Sequence, residues 1–233
     1  MSATPPVRYD PGCCAPQIFH EAPSWNRTAV TYHALLVHPS SPASAALTLV
    51  AQAQRLRADA LTLRFVLSGP LQHLRVPAET SGARAEELWR HTCFEAFVTL
   101  EHVPGYLELN FSPSRAWQAY RFSARRVGMT LAELPAPPVL TVGHRECREP
   151  QGRTRRADDA LVLEALVCLP APYAEGRHAL QLALCAVLED EAGALSYWAL
   201  RHAAGRPDFH HPDAFALTLD ATDADRQPVT DPA

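Results

Sequence analysis

The chain has 233 residues, 47% of them hydrophobic, which is enough apolar side chain for the core of one large all-β domain or two small ones. Its formal charge is −4, and its basic residues are all arginine and scattered. That excludes the dense positive surface that nucleic acid or an anionic membrane would call for. The one basic cluster, Arg153 with Arg155 and Arg156 beside Gln151-Gly152, reads as an exposed loop.

No apolar run reaches transmembrane length. The opening MSATPPVRYDPG has neither a basic start nor an apolar stretch, so a cytoplasmic location is expected by default. The six cysteines show no paired spacing. Cys93, Cys168 and Cys185 fall inside apolar strand patterns, where a reduced thiol serves as a small core residue. Cys13 and Cys14 form a vicinal pair on a proline-flanked segment, and Cys147 stands apart.

Residues 1–24 carry Pro5, Pro6, Pro11, Pro16 and Pro23 and read as an extended lead-in. Strands are predicted at 28–37, rich in β-branched and aromatic residues, and at 47–54. The segment 60–68 sets Leu61, Leu63, Phe65 and Leu67 on one face against Thr62, Arg64 and Ser68 on the other. This period of two marks a strand. Gly69-Pro70 ends it, and 76–87 reads as a polar loop with one helical turn at 84–88.

The centre of the chain is LWRHTCFEAFVTLEHVPGYLELNFSPSRAWQAYRF, Leu88 to Phe122. Here 92–100 alternates Phe94, Ala96 and Val98 against Cys93, Glu95 and Phe97. Pro104-Gly105 is a turn pair. In 106–112, Leu107, Leu109 and Phe111 oppose Tyr106, Glu108, Asn110 and Ser112. Ser112-Pro113-Ser114 turns the chain into a further strand at 116–123. Three strands joined by short turns make a meander.

Beyond a proline-rich loop at 128–138, strands are predicted at 139–148, 160–169, 178–188, 195–200 and 215–219, and residues 221–233 form a polar tail. About ten short strands with proline-marked turns and little helical periodicity predict an all-β fold, a single-domain antiparallel β-sandwich.

Three groups of residues carry candidate chemistry. Trp89, Trp117 and Trp198 can form a stacking platform, because the C–H faces of sugar rings pack on aromatic planes; the alternative is a set of core aromatics. Trp89, after a polar loop and before Arg90-His91, is the best placed for exposure. Glu95, Glu108 and Asn110 would reach one sheet face from paired strands and could hydrogen-bond hydroxyl groups, or else form a solvated outer face. As a catalytic pair Glu95 and Glu108 would need a defined separation across a cleft, which nothing in the sequence fixes. In SYWALRHAAGRPDFHHPDAF, His202, His210 and His211 lie near Asp208 and Asp213. Their spacing matches no metal motif, and Pro207 and Pro212 favour a structured loop pinned by His–Asp contacts. Cys93 with His91 lacks any sign of an activated thiol.

The blocks LWRHTCFEAFV, YLELNFSPSRAWQAYRF and YWALRHAAGRPDFHHPDAF together resemble the DOMON-like family related to family 9 carbohydrate-binding modules, over roughly residues 25–220. The resemblance implies a sandwich that binds sugars or haem and is not an enzyme. A Trp before an acidic E-x-F strand is matched by Trp89 before Glu95-Ala96-Phe97. An Asn-bearing strand before a turn is matched by Leu109-Asn110-Phe111 and Ser112-Pro113. Haem-binding relatives use an axial Met with a His; Met129 is the only methionine beyond the first residue, and His202, His210 and His211 are its candidate partners.

The leading expectation is therefore a non-catalytic domain that binds a carbohydrate or sugar-like small molecule. Trp89 and Trp117 would stack, Glu95, Glu108 and Asn110 would bind hydroxyls, and His91, His202 and Asp208 would close the site. That reading needs no metal or cofactor and indicates no particular protein partner. A haem protein for electron transfer or sensing is the first alternative, and a glycoside hydrolase using Glu95 and Glu108 the second.

Overall fold

A computed structural model describes residues 7–9, 16–18, 31–42, 46–145 and 160–221. The described chain runs through β1 (Val7–Tyr9), β2 (Pro16–Ile18), β3 (His33–Val37), β4 (Thr48–Arg57), β5 (Ala60–Ser68), β6 (Cys93–Leu100) and β7 (Tyr106–Phe111). It continues through β8 (Trp117–Phe122), β9 (Thr130–Leu131), β10 (Val139–Arg145), β11 (Ala160–Cys168), β12 (Leu180–Glu189), β13 (Leu195–Ala199) and β14 (Leu217–Leu219). Among the described residues there is no α-helix, only four single-turn 3-10 segments, and hence no helix that could cross a membrane. Cys13, Cys14, Cys147, the Arg153–Arg156 cluster and most of the expected lead-in and tail lie outside the described residues.

β1 and β2 pair with each other. The rest form two antiparallel layers, β10-β11-β5-β4-β3 and β13-β12-β6-β7-β8-β9, with β14 extending the line of β13 beside β12. The layers meet at β3, which pairs with β4 on one side and with β13 on the other. The predicted strands are found with ends shifted by a few residues, and β9 adds a two-residue strand inside the predicted 128–138 loop.

The inter-layer core follows from the alternation. Leu61, Leu63, Phe65 and Leu67 of β5 meet Phe94, Ala96 and Val98 of β6 and Leu107, Leu109 and Phe111 of β7 in one buried cluster. Phe65 and Phe94 touch across the layers, ring centroids 5.1 Å apart. The meander β6-β7-β8 is pinned by tight turns. At Gly105, φ is +81°, and a Cβ would lie 2.0 Å from the Phe122 carbonyl oxygen, so only glycine fits.

The outer face of the second layer is covered as well. The segment after β13, residues 200–216, folds back over it, and Phe209, Ala214 and Phe215 pack onto Phe97, Tyr106, Tyr120 and Phe122. All six residues of β7 are consequently buried. A strand with polar residues at every second position thus has both faces out of water.

Candidate functional site

Register assembles the polar floor. Glu95 of β6 lies opposite Asn110 of β7, and Asn110 lies opposite Gln118 of β8. In the next row, Phe97 faces Glu108 and Glu108 faces Tyr120. Glu95 and Glu108 are therefore diagonal neighbours on one face, the arrangement that brings side chains of adjacent strands within reach of each other. On the far side of β6, Cys185 of β12 faces Glu95.

Above this floor is a cavity of about 580 Å³. Glu95 and Glu108 open into it from below. Trp89, Phe122, Tyr197 and Phe209 line its walls, with Val187 and Leu195 between them, and Arg90, Arg126 and Met129 complete its rim. Trp89 is held edge-on to Tyr120, ring centroids 5.4 Å apart. The cavity combines mostly apolar walls with a few convergent polar groups, the usual composition of a small-molecule site.

The electrostatics are set by burial. Glu95 has its carboxyl pushed well above the usual range, first by desolvation and then by the nearby Glu108. Glu108 is raised to about 7, desolvation outweighing the hydrogen bond from Asn110 and the charge of Arg126. Asn110 Nδ2 donates to Glu108 Oε1 at 2.8 Å. Two buried acceptors on this floor, Glu95 Oε1 and Asn110 Oδ1, have no hydrogen-bond partner. Unmatched buried acceptors are costly in a folded protein, and a ligand that supplies donors removes the cost.

The covering segment is bolted down by polar contacts. The Tyr106 hydroxyl and His210 Nδ1 share a hydrogen bond of 2.7 Å, and the same phenol oxygen accepts from the backbone N–H of Arg126 at 3.1 Å. Asp208 accepts from Arg126 Nε at 3.0 Å and from the His210 backbone N–H at 3.1 Å, and it is ion-paired with Arg125. Burial favours the neutral form of Asp208, but the two arginines outweigh it and hold the carboxylate below its ordinary range. Burial, with the charge of Arg126, lowers His210 to about 4, so its ring is neutral near pH 7.

With this geometry in view, the chain can be compared with known proteins. No protein-family model and no curated protein matches it. Solved structures do. A protein from Bacteroides uniformis ATCC 8492, provisionally named carbohydrate-binding, superposes with a TM-score of 0.55 at 14% identity, over 82% of this chain and 86% of that one. A family 9 carbohydrate-binding module from Caldicellulosiruptor kristjanssonii in complex with cellotriose gives a TM-score of 0.40 at 10% identity, over 76% of this chain and 75% of that one. With glucose the module gives 0.41 at 10% identity, over 82% and 83%. The likeness to the Bacteroides uniformis protein is one of fold. These matches do not show membership of the DOMON-like family.

Of the residues expected from sequence, the fold brings Trp89, Glu95 and Glu108 together at the cavity, with Asn110 fully buried beneath them and donating to Glu108. Trp117 is not among them. Its partner across the β7-β8 hairpin is Phe111, so it points into the inter-layer core, 5% exposed, with the Arg84 guanidinium 4.7 Å from its ring centroid. Trp198 points inward too, its indole N–H donating to Ser196 Oγ at 3.0 Å.

His91 is turned aside. Its Nδ1 donates to Glu189 Oε2 at 2.7 Å, and it lines a neighbouring depression of about 390 Å³. His202 anchors the base of the covering segment, donating from Nε2 to the Leu36 carbonyl at 2.8 Å. Asp208 acts on the site only through Arg126 and His210. His211 Nδ1 accepts from the Asp213 backbone N–H at 3.2 Å and caps a 3-10 turn.

Met129, expected only as a haem ligand, and His210, expected as a haem ligand or as part of a pinned loop, do reach the cavity. Arg126, Phe122, Tyr197 and Phe209 were not anticipated. Phe122 was in principle visible, because it shares the two-residue period of Gln118 and Tyr120. Cys93 and Cys185 are fully buried with thiols raised well above their ordinary range, chiefly by desolvation, so neither is an activated nucleophile. Among the described residues no cluster of His, Cys, Asp and Glu has the geometry of a metal site.

Proposed function

We propose that the cavity binds a carbohydrate or sugar-like small molecule and leaves it chemically unchanged. The observation that carries this reading is the pairing of a buried carboxyl floor with aromatic walls in one cavity. A sugar offers hydroxyls to such a floor and C–H faces to such walls. Glu95, uncharged in its buried setting, can both donate to and accept from a hydroxyl. The provisional name of the Bacteroides uniformis protein, whose fold is similar, points the same way. The two carboxyls rise from adjacent strands of one floor. A glycosidase needs them to flank the scissile bond, so the geometry favours binding over hydrolysis.

Haem gains one observation, that Met129 and His210 line the same cavity. The residues nevertheless do not fit haem. His210 Nδ1 is engaged by Tyr106, its Nε2 faces Glu108 Oε2 at 3.9 Å, and the cavity is floored by two buried carboxyls.

The test is a titration of the purified protein with mono- and oligosaccharides, read by tryptophan fluorescence and calorimetry. Saturable binding is expected, and Trp89→Ala should weaken it by more than ~10-fold, the loss of one aromatic stacking contact. Equal affinity in that variant removes Trp89 from the site. No saturation across the panel, together with a one-to-one Soret band on adding haem, overturns the reading in favour of haem. Turnover of a chromogenic glycoside, abolished by Glu108→Gln, replaces binding alone with hydrolysis.

A further inference from the structure

The donor and acceptor balance of the floor narrows the ligand. Asn110 Nδ2 is already used on Glu108 Oε1. That leaves Glu95 Oε1 and Asn110 Oδ1 unmatched, and Glu108 Oε2 meets nothing closer than His210 Nε2 at 3.9 Å. Glu95 is 3% exposed, and the small remainder opens into the cavity. The cations at the rim do not answer these acceptors. Arg126 is ion-paired with Asp208 at 2.9 Å and Arg90 with Glu87 at 2.8 Å. Two carboxyl groups that open into one cavity, with no arginine ion-paired to either among the described residues, are the complement of a group that brings a positive charge and donors only.

Resting on the carbohydrate reading, we propose that the ligand carries a protonated primary amine, as in an amino sugar, and that the ammonium group docks on Glu95 and Glu108. An ammonium has three N–H donors and no acceptor, so it fills such a floor where a hydroxyl fills only part of it. The aromatic walls of Trp89, Tyr197 and Phe209 add faces on which a cation is held by the ring quadrupole.

The same geometry links binding to protons. Titratable groups from each neighbouring element face the two carboxyls. From β6 and β12 come the neutral thiols of Cys93 and Cys185, and from β7 and β8 the phenols of Tyr106 and Tyr120. The covering segment gives the neutral His210 and the ion-paired Asp208, the turn after β8 gives Arg125 and Arg126, and the turn before β6 gives Arg90 with Glu86 and Glu87. No unpaired cation stands against the carboxyls, so they hold protons when the cavity contains no cation, and an arriving ammonium, with its single positive charge, displaces one of those protons. A neutral sugar leaves them in place.

The experiment is isothermal titration of the wild-type protein at pH 6.5 with glucose, glucosamine, N-acetylglucosamine and cyclohexylamine, in two buffers of different ionisation enthalpy. Glucosamine should bind about tenfold or more tighter than glucose, as expected for a charge-assisted hydrogen bond in a dry site. N-acetylglucosamine, which has no ammonium, should bind no better than glucose. Glucosamine binding should release about one proton, from the linkage between ligand charge and carboxyl titration. Glu95→Gln should abolish both the preference and the release. The comparison among ligands needs no variant, so it stands even if that variant folds poorly.

Glucosamine binding equal to or weaker than glucose overturns the ammonium inference and leaves the carbohydrate reading intact. Binding of cyclohexylamine with neither sugar bound keeps the ammonium inference and overturns the carbohydrate reading. Binding of none of the four overturns both.

Discussion

The two faces of β6 and β7 are equally dry and chemically opposite. On the inner face, Phe94, Ala96, Val98, Leu107, Leu109 and Phe111 close on the facing layer in one hydrophobic cluster. On the outer face, Glu95, Glu108 and Asn110 are 3%, 4% and 0% exposed, yet two of their polar atoms have no partner. The inner face is built for burial alone. The outer face keeps groups that burial penalises, and what covers them, residues 200–216, is a loop held largely by side-chain contacts. Polarity kept on the second buried face of a strand marks a place where stability has been given up for something else.

The largest effect should come from the inner face. Phe94→Ala removes a fully buried ring in contact with Phe65 and should lower unfolding free energy by about 3–5 kcal/mol in denaturant melts. Glu95→Gln, one residue along but on the outer face, should change stability by about 1 kcal/mol or less, or raise it, because it removes a group that burial disfavours. Equal losses in the two variants would erase the distinction between the faces.

The next effect is in pH dependence, and its two parts have opposite sign. Glu108 is raised to about 7, so the folded state binds more protons than the unfolded chain. Its contribution is fully present below the ordinary glutamate range and is lost as pH rises through about 7, by about 3 kcal/mol. His210 is lowered to about 4, so the folded state binds fewer protons, and its contribution is lost as pH falls from the ordinary histidine range towards 4. In the wild type the two trends oppose each other in mildly acidic solution. Glu108→Gln should make the fall through about 7 shallower, leaving the part that the buried Glu95 carboxyl contributes. His210→Gln should leave stability that falls through neutrality. Profiles that match the wild type in both variants would mean that these groups are not held as the geometry implies.

The fold was largely legible because alternation is a local signal. The segment 60–68 is a strand with the bounds its pattern indicates, and the Pro104-Gly105 and Ser112-Pro113 turns fall where expected. The floor was legible for the same reason, since Glu95, Glu108 and Asn110 share a phase with their strands. Trp117 was misjudged because its phase depends on hairpin register, and Phe111 opposite Trp117 puts the ring inside. Reading that register across residues 112–116 would have selected Gln118, Tyr120 and Phe122 instead. The lid over the floor was not legible. A polar alternate face ordinarily means solvent, and the contacts that deny it solvent here come from Phe209 and His210, about a hundred residues further along a proline-rich loop with no periodicity to read.

That lid gives the smallest effect and the finest test of the comparison. Asp208 joins Arg125, Arg126 and the His210 backbone N–H, but both arginines are more than half exposed. Ion pairs in such a setting contribute little, so Asp208→Asn should lower global stability by at most about 1 kcal/mol. Its effect should instead be local. With the bolt loosened, the backbone amides of residues 207–211 should exchange hydrogen faster, while those of β6 and β7 keep their protection, because the inner face still holds the strands together. Faster exchange in β6 and β7 as well would mean that the lid is part of the core rather than a cover over a site, and the outer face would then be no more than a second core with misplaced carboxyls.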